Sequence, residues 1–160
     1  MPHITIEHVI LIPLLFIQIL VFPFAASIMA SSWADSYRDT ALKNAANYLA
    51  STIQQLYLSI NRNEISAGTV TQASTLPLTI DSYSYTAVGS LSSPLDSNSS
   101  KILTLSLTLS NVGNTATANT VLGSNVLWDD ASILRSASSD ASITVQKFAN
   151  DTLFFSFGGG

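Results

Sequence analysis

From Val9 to Ala34, no Asp, Glu, Lys or Arg interrupts 26 consecutive positions, and the polar side chains among them are Gln18, Ser27, Ser31 and Ser32. A helix over that run is about 39 Å long, enough to cross a hydrocarbon layer of about 30 Å with some tilt. Trp33 stands where an indole rests at an interface, and Asp35, Arg38 and Asp39 return the chain to water. The pattern then changes without a break. Leu42, Ala45, Leu49, Ile53, Leu56 and Ile60 recur at spacings of three and four, and no Pro or Gly lies between Pro23 and Gly68. That is one apolar face of an amphipathic helix. The two runs join into a single helical rod from Ile4 to Arg62, about 88 Å long, apolar over 4–34 and amphipathic over 35–62. Pro13 and Pro23 remove the amide donors that would meet the carbonyls of Val9 and Ile19, which predicts a kink at each.

Near Asn63 to Gly68 the period switches from helix to strand. In "KILTLSLTLS", Leu103, Leu105, Leu107 and Leu109 point one way and Thr104, Ser106 and Thr108 the other, the signature of a half-buried strand. "SYSYTAV" alternates likewise, with Tyr83, Tyr85 and Ala87 on one face, and "ASITVQKF" and "TLFFSF" read as closing strands. "LSSPLDSNSS" and "NVGNTATANT" read as loops or hairpin connections. The expected architecture is α+β: a kinked N-terminal helix over 1–62, then a small antiparallel sandwich of six to eight strands over 65–160, with one sheet lying on the stripe of Leu42, Leu49 and Leu56.

Composition narrows the function. Hydrophobic residues make up 47% and charged residues 10%, too little charge for an ordinary water-exposed surface. The six basic residues, Arg38, Lys43, Arg62, Lys101, Arg135 and Lys147, form no stripe able to neutralise a run of phosphates, which argues against nucleic acid as a partner. Cysteine is absent, removing disulfides and thiolate chemistry. Both histidines, His3 and His8, precede the apolar run, so the β-rich region has no imidazole for general-base or metal-ligand work. Asp129, Asp130 and Asp140 are hard oxygen donors without EF-hand spacing, and read as loop or capping residues. No nucleophile elbow, phosphate loop or dinucleotide fingerprint is present. The expectation is a non-enzymatic protein without metal or cofactor.

Ser and Thr make up roughly a third of the residues from Ile65 onward, a density that suits water-facing strands and also O-glycosylation. Asn98-Ser-Ser and Asn150-Asp-Thr match the N-glycosylation acceptor pattern. A secretory signal peptide fits the N-terminal run poorly, because the run is too long and no Lys or Arg precedes it. A plain membrane anchor accounts for the apolarity but not for Glu7, since a carboxylate at the edge of a span is costly and usually has a pairing role. Capping the helix N-terminus is the other use open to it.

His3-Ile4-Thr5-Ile6-Glu7-His8-Val9-Ile10-Leu11 is similar to the class III signal region Q-x-S-x-E-x-x-x-L, with His for Gln and Thr for Ser. With the apolar-then-amphipathic rod and the β-rich region behind it, the whole chain resembles the archaeal type IV pilins. Met1-Pro2 stands where precursors of that family carry Lys or Arg followed by Gly. The resemblance implies that His3 is the first residue after processing by a prepilin peptidase, so that Glu7 is fifth. It implies further that the chain waits in the membrane, is taken up by a pilus assembly machinery, and polymerises with itself into an extracellular helical filament used for surface adhesion. Glu7 would set the register by pairing with a neighbour's terminal amine, and Gln18, three turns further on nearly the same face, would add an inter-helix hydrogen bond. Within the family the alternative is an archaellin-type motility filament, although archaellins usually lack this acid; outside it, a monomeric membrane-anchored surface-binding protein.

Overall fold

The computed structural model describes residues 3–92 and 98–159, with side chains from Leu11 onward. The side chains of His3 and Glu7, and Ser93 to Ser97 of the expected loop "LSSPLDSNSS", lie outside the described residues. The chain is α+β: among the described residues, one helix, α1 (His3–Ile60), is followed by eight strands. Compactness divides it inside the helix, into Met1–Tyr37 and Arg38–Gly160. The change from helix to strands falls where the period switches, near residue 62, but the amphipathic turns share one compact unit with the strands.

In the first unit the helix continues through both Pro13 and Pro23. The hydroxyl of Ser31 donates to the Ile28 carbonyl at 2.9 Å, returning that polar group to its own backbone. The large apolar side chains from Leu11 to Trp33 stay exposed, Leu20 at 70% and Phe22 at 76%. This helix is long and apolar enough to cross a membrane, a property that spans and signal segments share.

In the second unit β1 (Gly68–Ala73), β7 (Ser142–Lys147), β8 (Leu153–Gly158) and β5 (Val126–Trp128) form one sheet in that order; β4 (Thr115–Leu122), β3 (Lys101–Leu109), β2 (Tyr85–Leu91) and β6 (Ile133–Arg135) form the other. The alternation in β3 is realised: Leu103, Leu105, Leu107 and Leu109 are all buried. They meet Tyr85, Ala87, Val145 and Phe155 from the neighbouring strands and the opposite sheet. The helix completes this core, burying Leu42, Ala45, Ala46, Leu49, Ala50, Ile53 and Ile60, with Leu56 packed at the margin. Trp128 lies against β2, where a side chain at Gly89 would run into its indole, and the ring stands edge-on to Phe157.

One expectation needs correction. "NVGNTATANT" is not all connection: Asn111 to Asn114 form the turn, with positive φ at Asn111 and Gly113, and Thr115–Leu122 is a full strand paired along β3. Its small, polar residues hide the alternation that Ala118, Thr120 and Leu122 show once they face inward. The strand pairing is antiparallel as expected, with one addition: β5 pairs with β8 in parallel. The intervening chain, through β6 and β7, supplies the long crossover such a pair requires.

Candidate assembly and surface sites

The apolar turns of the first unit present an exposed hydrophobic surface. An open groove of about 770 Å³ runs along Leu15, Gln18, Ile19, Phe22 and Pro23. Among the described residues, Gln18 is the one polar residue lining it. A carboxamide in an apolar groove favours whatever neighbour can satisfy its donors and acceptor. Pro13 and Pro23 sit in the same helical stretch, and the backbone of Glu7 lies in its first turns.

Polar contacts hold the amphipathic turns to the strands. Arg38 donates through Nε to Asp81 Oδ2 at 2.6 Å, and its guanidinium stands 5.1 Å above the Tyr83 ring. Asp81 and Ser82 are the central residues of a two-residue hairpin, closed by reciprocal backbone bonds between Ile80 and Tyr83. Both have positive φ, 49° and 69°, which costs non-glycine residues free energy. Arg38 fixes that strained turn from the helix. One residue on, Asp39 accepts from the Asn114 side chain at 2.7 Å, reaching the turn before β4.

The helix C-terminus is held by a buried cation. α1 has no basic residue in its last turn, but Lys147 of β7, 4% exposed, donates to the Ile60 carbonyl at 3.4 Å and to the Arg62 carbonyl at 2.8 Å. Its third neighbour is Asp151 Oδ1 at 3.1 Å. A cation there satisfies carbonyls left over by the helix and opposes the negative end of its dipole. Asn125 extends the arrangement, donating to Asn61 Oδ1 at 2.9 Å and to the Asp151 carbonyl at 2.8 Å. Sequence reasoning missed this clamp, although its signal is visible: Lys147 falls in phase with Ile143 and Val145 on the inward face of an alternating strand.

Both candidate acceptor asparagines are exposed. Asn150 lies in the turn joining β7 to β8, where its Oδ1 accepts from the Thr152 amide at 3.2 Å. That leaves the Nδ2 side of the carboxamide, the atom a glycan would modify, directed away from the turn's own hydrogen bond. Asn98 is in a turn ahead of β3. Asp129 closes a tight turn, its Oδ1 accepting from the Ala131 amide at 3.1 Å. Among the described residues no three His, Asp or Glu side chains gather as a metal site.

Tyr85 carries the clearest titration anomaly. Burial pushes its phenol up to about 12, and the hydroxyl donates to the Pro77 carbonyl at 2.7 Å. Ser136 braces the same strand, accepting from the Tyr85 amide and donating to the Leu78 carbonyl. These groups are turned into the fold and serve its packing. No protein-family model matches this sequence, and no characterised protein or solved structure matches it significantly.

Proposed function

We propose that the chain is the structural subunit of an archaeal type IV pilus-like filament, held in the membrane through its apolar helix until it polymerises through that helix, with the β unit outside. The supporting observation is a division of labour within α1. From Leu42 onward its apolar residues complete the core of the β unit, whereas Leu11 to Trp33 remain exposed and contribute nothing to that core. An apolar surface of this extent needs lipid or other copies to cover it. Lipid tails are as apolar as the helix, so leaving the membrane for a filament is driven by close packing and polar pairing rather than by release from water. Glu7 and Gln18 are the groups that supply such pairing in this reading, and Pro13 and Pro23 let the helix change its path between the two environments. Exposed Asn98 and Asn150 are the proposed glycan acceptors, and adhesion is the proposed use.

The test is to shear cells and collect the released filaments, identifying their subunit by mass spectrometry. The chain is expected in that fraction, and Glu7→Ala is expected to lower filament yield sharply while membrane insertion is unchanged. A chain that stays with the membranes and extracts as a detergent-soluble monomer is an anchored surface protein, and the filament reading is then wrong.

A further inference from the structure

Each sheet of the β unit has one short edge and one long one. β5 and β6 are three-residue edges, a length that offers little to a passing strand. The opposite edges are β1, with six residues, and β4, with eight. Neither "GTVTQA" nor "TATANTVL" contains a charge or a proline, and both pair residue for residue with their neighbours, without a bulge. These are the devices by which edge strands normally avoid intermolecular pairing, and both long edges lack them. β1 is also poorly buried for a strand, with five of its six residues exposed.

The direction of the unused hydrogen bonds follows from the ladders. The Ser74 amide donates to the Ala141 carbonyl, and the Leu109 amide to the Asn114 carbonyl. Alternation from those bonds turns the amides and carbonyls of Thr69, Thr71 and Ala73 away from β7, and those of Thr115, Thr117, Asn119 and Val121 away from β3. Among the described residues no hydrogen bond is made to these outward backbone groups. Their side chains also share the exposed outer faces, where hydroxyl pairs already cross the strands: Thr71 with Thr144 at 3.1 Å and Thr108 with Thr115 at 3.3 Å.

We infer that the β1 edge of one copy pairs with the β4 edge of a second copy, joining two sheets into one across the contact. A second copy is the occupant because each chain carries both halves of the match: two uncharged edges of similar length, each with its outward backbone groups and its threonines on the outer face. Antiparallel pairing sets Thr69, Thr71 and Ala73 opposite residues of the same outer row on β4, and extends the existing rows of hydroxyls across the joint. The two edges belong to different sheets, so the contact is head-to-tail and leaves a free edge at each end, giving an open row of subunits. This contact involves the β unit alone and does not rest on polymerisation through the apolar helix.

Two proline variants test it cleanly, because the amides of Thr69 and Thr117 serve no ladder within the fold. Thr69→Pro removes an outward donor from β1, and Thr117→Pro removes one from β4. The full chain is kept in detergent micelles, so that its apolar turns are covered, and its association is followed by analytical ultracentrifugation up to near-millimolar concentration. Circular dichroism checks the fold of each variant. The parent is expected to form a concentration-dependent series of oligomers. Each variant alone is expected to stay monomeric, and an equal mixture to form dimers and nothing larger, since only one intact β1–β4 pair can be made per couple. In the parent oligomers, amide exchange over 68–73 and 115–122 is expected to slow on the order of tenfold, with 126–128 and 133–135 unchanged. A parent that is monomeric throughout, or variants that associate as the parent does, overturns the proposal. Neither result bears on the filament reading, which is decided on sheared filaments.

Discussion

Lys147 shows how one residue can connect local chemistry to the stability of the β unit. It is buried, yet its ammonium meets the Ile60 and Arg62 carbonyls and Asp151. Lys147→Met keeps most of the stem's packing and removes the donors, taking the ammonium from the buried Ile60 carbonyl and leaving the Arg62 carbonyl with the Ile65 amide alone. The expected cost is about 1–3 kcal/mol in urea unfolding. An unchanged midpoint would show that water replaces the ammonium there. Tyr85 predicts a pH dependence of known sign. Its phenol is raised to about 12 in the fold against about 10 in an unfolded chain. The contribution is therefore complete below pH 10 and is lost as pH rises from about 10 to 12, because the unfolded chain releases its proton first. The loss is on the order of 2 kcal/mol, and Tyr85→Phe should remove that part of the alkaline decline.

At the scale of the element, one helix does two jobs in succession. Leu49 and Ile53 are completely buried in the β unit's core, whereas Leu20 is 70% exposed. Leu49→Ala should destabilise the β unit by about 2–5 kcal/mol. Leu20→Ala should leave its unfolding midpoint where it was, which chemical denaturation in detergent can check. Much of this was legible in the sequence. The spacing from Leu42 to Ile60 and the strict alternation of β3 identify their buried faces because both patterns are dictated by the repeat of the element itself. β4 was hidden because Thr, Ala and Asn carry little hydrophobic contrast. Its strand character comes from pairing along β3, a tertiary contribution that local pattern cannot express. The parallel pairing of β5 with β8 was illegible for a related reason: three residues are too few to carry a period, and their partner lies beyond two further strands.

At the scale of the whole molecule, the candidate sites were less legible than the fold. Glu7 and Gln18 stand out in the sequence as polar residues in apolar company, but the neighbour with which the proposed filament would pair them leaves no mark on a single chain. The clamp at Lys147 and the grip of Arg38 on the strained Asp81–Ser82 turn depend on contacts across 85 and 43 positions, respectively, and no spacing rule reaches that far. The β unit builds its core with the amphipathic turns alone, so the exposed apolar turns are free for another purpose. The most direct measurement of that purpose is a cryo-electron microscopy reconstruction of filaments sheared from cells. We expect a central bundle of helices containing Leu11 to Trp33 of every copy, with the β units on the outside. Filaments whose core lacks these turns, or a released fraction that does not contain the chain, would contradict polymerisation through the apolar helix.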